Sequence, residues 1–516
     1  MSILHIPLFT SDRPCQIGVG FHNVGATGSL RASNEGVAKE AEATYAGRCG
    51  HLPLHARTVG LLLEVPTLDI CRQLAYLSYL FGKEIEPMRF ATFRTAALAH
   101  QQDIPGQKAL IIPYINVPEA ETLIQETLGA ETWGLPGKMV HLLKNKAEFY
   151  HLLDVFHSDA FQAPDYRIAT IDALARVALC FLPEIEALYR QAGLAGRYPL
   201  GLVMRAAESE GNRSSCLVVE KAGHIRVIQH GEAKGAGHSA SFSHWANALH
   251  SAQQGLVATM NTDKEDRVVI SRYLDVEDSP GMSMVIMGGE GASLGWNSQL
   301  QRARRAGDTA CIGTSAYHPQ TAALRRVQEQ YEERAATFFL DVLLNTAALC
   351  GIPFNALRGI ANIDLMIPGA REHYLRQQRK QSPALYVAEC NPRWTNYTDA
   401  IMTVLGASRR VATIQNMRSV IREGIVTLDK QPLPEQLDPA SICERLVECD
   451  DEWQQRGLRI ICRMAKNPMG LIYVGNVQQA WQEMDAIIQA LLQCEARRRH
   501  VCLHHQLRCL STSACS

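Results

Sequence analysis

At 516 residues the chain is too long for one ordinary core, and length alone predicts two to four domains. Hydrophobic residues make up 47% and charged residues 20%, which excludes a disordered chain. Basic and acidic residues, 51 and 52, leave a net charge of −1, which excludes the basic footprint of a nucleic-acid binder.

No apolar run reaches the roughly 18 residues that a membrane span needs. Met1-Ser-Ile-Leu-His-Ile has no basic region followed by an apolar stretch, so no secretory signal is expected and a cytoplasmic enzyme is the default. Fifteen cysteines are scattered singly, without a CxxC pair. Most lie in apolar stretches, which suits a reduced compartment better than a disulfide framework. Cys502, His504, His505 and Cys509 match no standard zinc spacing, and a frayed basic tail is the expectation there.

Residues 1 to about 50 are rich in Gly, Ser and Asn. Gly18-Val-Gly-Phe-His-Asn-Val-Gly reads as a surface loop rather than a phosphate loop, since no strong strand precedes it. From about 57 to 140, strand-like runs (59–65, 109–117) alternate with helical ones (69–81, 119–128), which predicts a βαβ unit with a parallel sheet. Helices are expected over 145–156 and 171–192, and strands over 200–205, 215–220, 268–274 and 283–287. Residues 322–351 predict a long amphipathic helix, fit for a core or for a homodimer. The strands 359–367 and 384–389 and the helix 396–405 follow. Pro432-Leu-Pro-Glu reads as a linker into an end module with strands at 457–463 and 470–474 and a helix at 478–492.

The chemistry concentrates in Gly359-Ile-Ala-Asn-Ile-Asp-Leu-Met-Ile and Leu385-Tyr-Val-Ala-Glu-Cys-Asn-Pro-Arg. Asp364 lies mid-strand among apolar neighbours. Glu389 and Asn391 are two apart and project from one strand face. If the strands pair as an antiparallel hairpin, three oxygen ligands converge, the hard-oxygen set that Mg²⁺ prefers when phosphates complete the shell. The alternative is an ordinary hairpin with its polar groups in solvent.

This pair of strands resembles the closing hairpin of the ATP-grasp superfamily. The resemblance implies that Asp364, Glu389 and Asn391 hold magnesium, two ions with Mn²⁺ as a substitute, and that Arg393 faces the transferring phosphate. Upstream, Asn145-Lys146 followed by Ala163-Pro-Asp-Tyr resembles the segment whose lysine reaches the nucleotide phosphates. Leu202-Val-Met-Arg205-Ala resembles the "Val-Val-Lys-Pro" strand, and Glu208–Ser215, with Gly211, the loop that covers the phosphates. Val268-Val-Ile-Ser271-Arg-Tyr273-Leu274-Asp resembles the segment whose backbone meets adenine. The resemblance covers roughly 140–425 and departs from the family at three points. Arg205 replaces a lysine, one glycine replaces several in the loop, and Ser271 and Arg272 replace acidic hinge residues, leaving Asp275 or Glu277 for the ribose.

The implied fold is α/β (α+β). A Rossmann-like pre-ATP-grasp domain (1–140) precedes the ATP-grasp domain (141–425), and a small α/β module with a tail (426–516) closes the chain. The implied activity is ADP-forming ligation of a small carboxylate to an amine, amino acids among them, with ATP and Mg²⁺ as cofactors and neither nucleic acid nor membrane as partner. A nucleotide-binding scaffold on a degraded fold and a phosphotransferase are the competing readings. Against each residue stands a plain one: Lys146 as a solvated helix residue, Arg205 as an edge-strand charge. Arg302, Arg304 and Arg305 could hold a substrate carboxylate or face solvent, and His318 could steer a proton or merely shape a turn.

Overall fold

The computed structural model describes residues 3–9, 15–21, 57–62, 67–89, 108–118, 120–122, 124, 131–209, 214–221, 223–230, 239–260, 266–303, 309–465 and 468–512. Strands and helices are numbered in chain order over these residues.

Parallel pairing comes first. Strands β1 (Cys15–Phe21), β2 (Arg57–Leu62), β3 (Ile85–Arg89), β4 (Lys108–Pro113) and β5 (Glu131–Thr132) form a five-stranded parallel sheet in the order β3-β2-β1-β4-β5. The parallel pairing is what the alternating pattern predicts, and the sheet order reverses between β1 and β4, the switch point of a Rossmann-like half. Helix α1 (Leu68–Phe81) joins β2 to β3 and is closed by Gly82 at φ 64°, a left-handed cap that glycine adopts without strain. Gly18-Val-Gly-Phe, expected in a surface loop, is instead the body of β1, paired on both sides. Its glycines hid the strand from a reading based on apolar runs. The helix expected over 119–128 falls mostly outside the described residues.

Helices α2 (Gly137–Lys144) and α3 (Lys146–Phe156) lead to the short strand β6 (Phe161–Gln162). A six-stranded antiparallel sheet follows, ordered β11-β10-β9-β8-β12-β7, from β7 (Tyr166–Thr170), β8 (Gly201–Ala206), β9 (Ser215–Lys221), β10 (His224–His230), β11 (Ser239–Phe242) and β12 (Arg267–Arg272). Its two helices are α4 (Leu174–Gln191) and α5 (Trp245–Val257). Leu202, Met204, Cys216, Val218, Val268 and Ile270 point into a core of their own with these helices. By strand alternation, Val203, Arg205, Leu217, Val219 and Ser271 line the opposite face.

The largest sheet runs β20-β21-β19-β16-β15-β14-β17-β18-β6, with β13 paired on β17. Its further members are β13 (Val276–Asp278), β14 (Gly281–Met287), β15 (Glu290–Ala303), β16 (Thr309–Ala316), β17 (Arg358–Pro368), β18 (Leu385–Asn391), β19 (Ile425–Gln431), β20 (Arg459–Met464) and β21 (Met469–Val474). Helix α6 (Ala322–Leu349) packs on β14 and β15, with Leu324, Tyr331, Phe339, Val342 and Leu343 in the main core. Its apolar face is thus used within the chain. Helices α7 (Ala370–Gln378), α8 (Asn396–Ala407), α9 (Ile414–Glu423), α10 (Pro439–Gln455) and α11 (Val477–Thr512) complete the fold. The strands after Pro432 form no sheet of their own but extend, through β19, the sheet that carries the β17–β18 pair. The expected frayed tail is helical to Thr512. No helix among the described residues is long and apolar enough to cross a membrane.

Candidate active site

The two strands singled out by sequence do pair antiparallel, with Asp364 opposite Glu389 and Asn362 opposite Asn391. A bulge follows this pair: Leu365 is opposite Val387, so Ala388 is the extra residue on β18. The bulge lets Val387 and Cys390 stay in the core while Glu389 and Asn391 remain on the polar face. One patch therefore presents Asn362, Asp364, Glu389 and Asn391 together.

Amide donors hold Asp364 in place. Asn362 Nδ2 donates to Oδ1 at 2.7 Å, and Asn391 Nδ2 donates to Oδ2 at 3.1 Å. Behind Asn362 stand Ser283 and Asn297, both buried, each donating to Asn362 Oδ1 at 3.1 Å. Gly281 lies between Asn297 and Asp364 in the sheet. A Cβ there would sit 2.6 Å from Asn297 Oδ1 and 3.1 Å from Asp364 Oδ1, so only glycine leaves room for the cluster.

Two cations approach Glu389 from other elements. Lys146 opens α3, where Asn145 Oδ1 caps the helix by accepting from Ala147 N and Glu148 N. Its ammonium is buried, donates to Ser209 O, and lies 3.1 Å from Glu389 Oε2. Lys146 is thus no solvated helix residue. Arg205 Nη1 lies 3.8 Å from the same oxygen. Arg205 stands in an inner strand, flanked by β9 and β12, so the edge-strand reading does not hold. Its Nη2 donates to Tyr150 Oη and, at 3.1 Å, to Ala388 O. Arg393 donates from Nη1 to Tyr114 Oη at 2.6 Å and from Nη2 to Asn391 Oδ1 at 3.2 Å, with its guanidinium 5.1 Å from the Tyr114 ring centre.

The charges are uneven. Burial, with Glu389 next, raises the Asp364 carboxyl to about 7. Burial also acts to raise Glu389, but Lys146 and Arg205 outweigh it and hold that carboxyl near 2. Two close carboxyls, one of them reluctant to ionise, with an amide oxygen beside them, fit a divalent cation that also takes phosphate oxygens. Among the described residues no group of three or more His, Cys, Asp or Glu gathers to hold a metal unaided.

The remaining residues fall as follows. Ser271 is buried and its hydroxyl donates to Val203 O at 3.3 Å. Arg272 turns inward to Glu372 and Asp165. Tyr273 N donates to Gly201 O, so Tyr273 and buried Leu274 adjoin the start of β8, while Arg205 marks its far end. Asp275 Oδ2 accepts from Arg371 N at 3.0 Å as a cap of α7, which engages one of the two suggested ribose partners. Glu277 and His318 are exposed. Gly211, Arg304 and Arg305 lie outside the described residues, and Arg302 sits in β15 opposite Ala310.

Sequence reasoning missed Tyr150, Tyr114, Asn362, Asn297 and Glu372. Only Tyr150 carried a local signal, its position one helical turn after Lys146.

At the end of β8 away from Arg205, a cleft of about 1260 Å³ is lined by Leu217, Val219, Ile228 and Tyr273.

No family model matches the chain, and no curated protein matches it. Among solved structures it is similar to the biotin carboxylase–β,γ-ATP complex from Campylobacter jejuni, at 10% identity and TM-score 0.46, covering 84% of this chain and 85% of that one. It is similar to N5-carboxyaminoimidazole synthetase from Staphylococcus aureus complexed with ADP, at 12% and 0.43, covering 94% and 100%. It is also similar to D-alanine–D-alanine ligase from Bacillus anthracis, at 13% and 0.35, covering 68% and 97%. At such scores, what the site does follows from its own residues.

Proposed function

We propose that the chain binds ATP with magnesium and uses it to join a small carboxylate to an amine, releasing ADP and phosphate, as an ATP-grasp-type ligase. The observation that carries this reading is the Asp364–Glu389 pair, held by Asn391, approached by Lys146 and Arg205 from two other elements and flanked by Arg393 just beyond β18.

In this reading the adenine lies near Tyr273 and Leu274, and the phosphates lie along β8 towards Arg205 and Lys146. Asp364, Glu389 and Asn391 would hold magnesium, whose charge offsets that of the phosphates. A carboxylate oxygen of the acid attacks the γ-phosphorus as the bond to the bridging oxygen of ADP breaks. The amine then attacks the acyl carbon, phosphate leaves, and the amine loses a proton. Arg393, fixed by Tyr114 and Asn391, donates to the phosphoryl oxygens as charge gathers there, and Arg205 and Lys146 orient the chain of phosphates. No nucleophilic side chain is needed. The domain divisions at 140 and 425 belong to this proposal.

A second reading, a nucleotide-binding scaffold without turnover, draws on one observation: the hinge side chains Ser271 and Arg272 are turned into the protein.

Thermal stability with and without Mg²⁺ and a non-hydrolysable ATP analogue, in parallel with Glu389→Gln, tests the site. A ligand at a hundredfold excess over Kd stabilises by about 2.7 kcal/mol. The expected result is a magnesium-dependent shift that the variant loses, and its absence at millimolar ligand counts against the proposal. ADP release on addition of acid and amine together separates ligase from scaffold.

A further inference from the structure

Arg205 stands where the sequence resemblance expects a lysine, and the protein around it is arranged for a guanidinium. Tyr150 lies four residues after Lys146 on α3, so both side chains leave the same helix face. It is fully buried. Its hydroxyl donates to Ala388 O at 3.0 Å and accepts from Arg205 Nη2, while the same nitrogen donates to Ala388 O at 3.1 Å. The ring centre lies 5.8 Å from the guanidinium carbon. Ala388 is the bulged residue next to Glu389, so this triangle of contacts ties the arginine to the strand that carries the metal-facing carboxylate.

We infer that Tyr150 is a positioning residue of the phosphate site, locking Arg205 so that Nη1 faces Glu389 and the phosphates; this rests on the nucleotide reading above. Arginine can give Nη2 to the tyrosine and the carbonyl and still offer a second nitrogen to the ligand. A lysine offers its hydrogens from one point on a freely turning stem, without the fixed fork that sets one nitrogen on the tyrosine and the other towards the ligand. The contribution of Tyr150 therefore exists only alongside an arginine at 205, and the two residues act as one unit. Without the hydroxyl, the long side chain regains rotamers that it must give up when the nucleotide binds.

The test is calorimetric titration of the full chain with Mg²⁺ and a non-hydrolysable ATP analogue. Wild type is compared with Tyr150→Phe, Arg205→Lys and the double variant. Tyr150→Phe is expected to weaken binding at least fivefold. In the Arg205→Lys background the same change is expected to alter Kd by less than twofold, a dependence that a merely structural tyrosine would not show. Tyr150→Met, which fills much of the same space with no hydroxyl, carries the same expectation and replaces phenylalanine should that variant not fold. Wild-type binding with Tyr150→Phe within twofold of it, or an equal loss in both backgrounds, overturns the inference alone. Wild type without measurable affinity overturns the nucleotide reading and this inference with it.

Discussion

Asp364 and Glu389 face each other directly across the β17–β18 pair, yet their carboxyls titrate far apart, near 7 and near 2. The lysine and arginine beside Glu389 keep it charged, and its charge joins burial in discouraging a second one on Asp364.

A pH dependence follows. Magnesium at Asp364 must displace a proton below about pH 7, so the Kd for magnesium in the presence of nucleotide should weaken about tenfold per pH unit as pH falls below 7. Asp364→Asn should abolish that slope. In the metal-free protein the folded state holds a proton between 3.8 and about 7 that the unfolded chain has released, so Asp364 adds stability as pH falls through 7 towards 4. Glu389 acts in the opposite sense: its contribution is full above 4.5 and lost as pH falls towards 2. Calorimetric titrations at about pH 6, 7 and 8 would check the first statement, and denaturant midpoints from about pH 2 to pH 8 the second.

Asn362 is expected to tune that transition. Its amide donation lowers the Asp364 carboxyl and is one of two amide contacts on it. Asn362→Ala should therefore move the pH midpoint of metal binding upward. It also leaves Ser283 and Asn297 without a shared acceptor, a loss of about 1–3 kcal/mol in stability. A midpoint that stays in place would deny Asn362 this role.

Gly281 should not tolerate a side chain. Gly281→Ala puts a methyl group 2.6 Å from Asn297 Oδ1 and 3.1 Å from Asp364 Oδ1. Overpacking of this kind costs about 1–3 kcal/mol. Displacement of Asp364 should also weaken magnesium-dependent nucleotide binding at least tenfold, measured by calorimetry beside the melting temperature.

Far from the carboxylates, Arg272 and Glu372 form an ion pair that is wholly buried, with Tyr198 and Tyr386 also donating to Glu372. Glu372→Gln should cost about 3–5 kcal/mol, since it leaves a buried guanidinium short of counter-charge. Replacing both residues by leucine should recover much of that loss. Urea denaturation of wild type, Glu372→Gln and the double leucine variant decides the matter.

Much of this was legible in the residues. The β17–β18 pair showed itself because Asp, Glu and Asn interrupt apolar strands at positions that share one face. Helix α6 showed itself by a long 3.6-residue period. Two causes hid the rest. Helix α5 buries Ala248 and Ala252 beside Leu249 and Leu256, a face too rich in small residues to stand out, and β10 and β11 fell in the same overlooked stretch. The partners Tyr114 and Glu372 reach their targets across 279 and 100 residues of sequence, distances over which no local pattern carries information.

The membership of β19, β20 and β21 in the same sheet as the carboxylates has a practical consequence. Cutting the chain after residue 425 would strip β16 of its neighbour β19 and leave a row of unpaired amide and carbonyl groups along an exposed border. Such a fragment should recruit other copies of itself rather than stand alone, so recombinant pieces are better bounded by intact sheets than by the proline-rich stretch at 432–434.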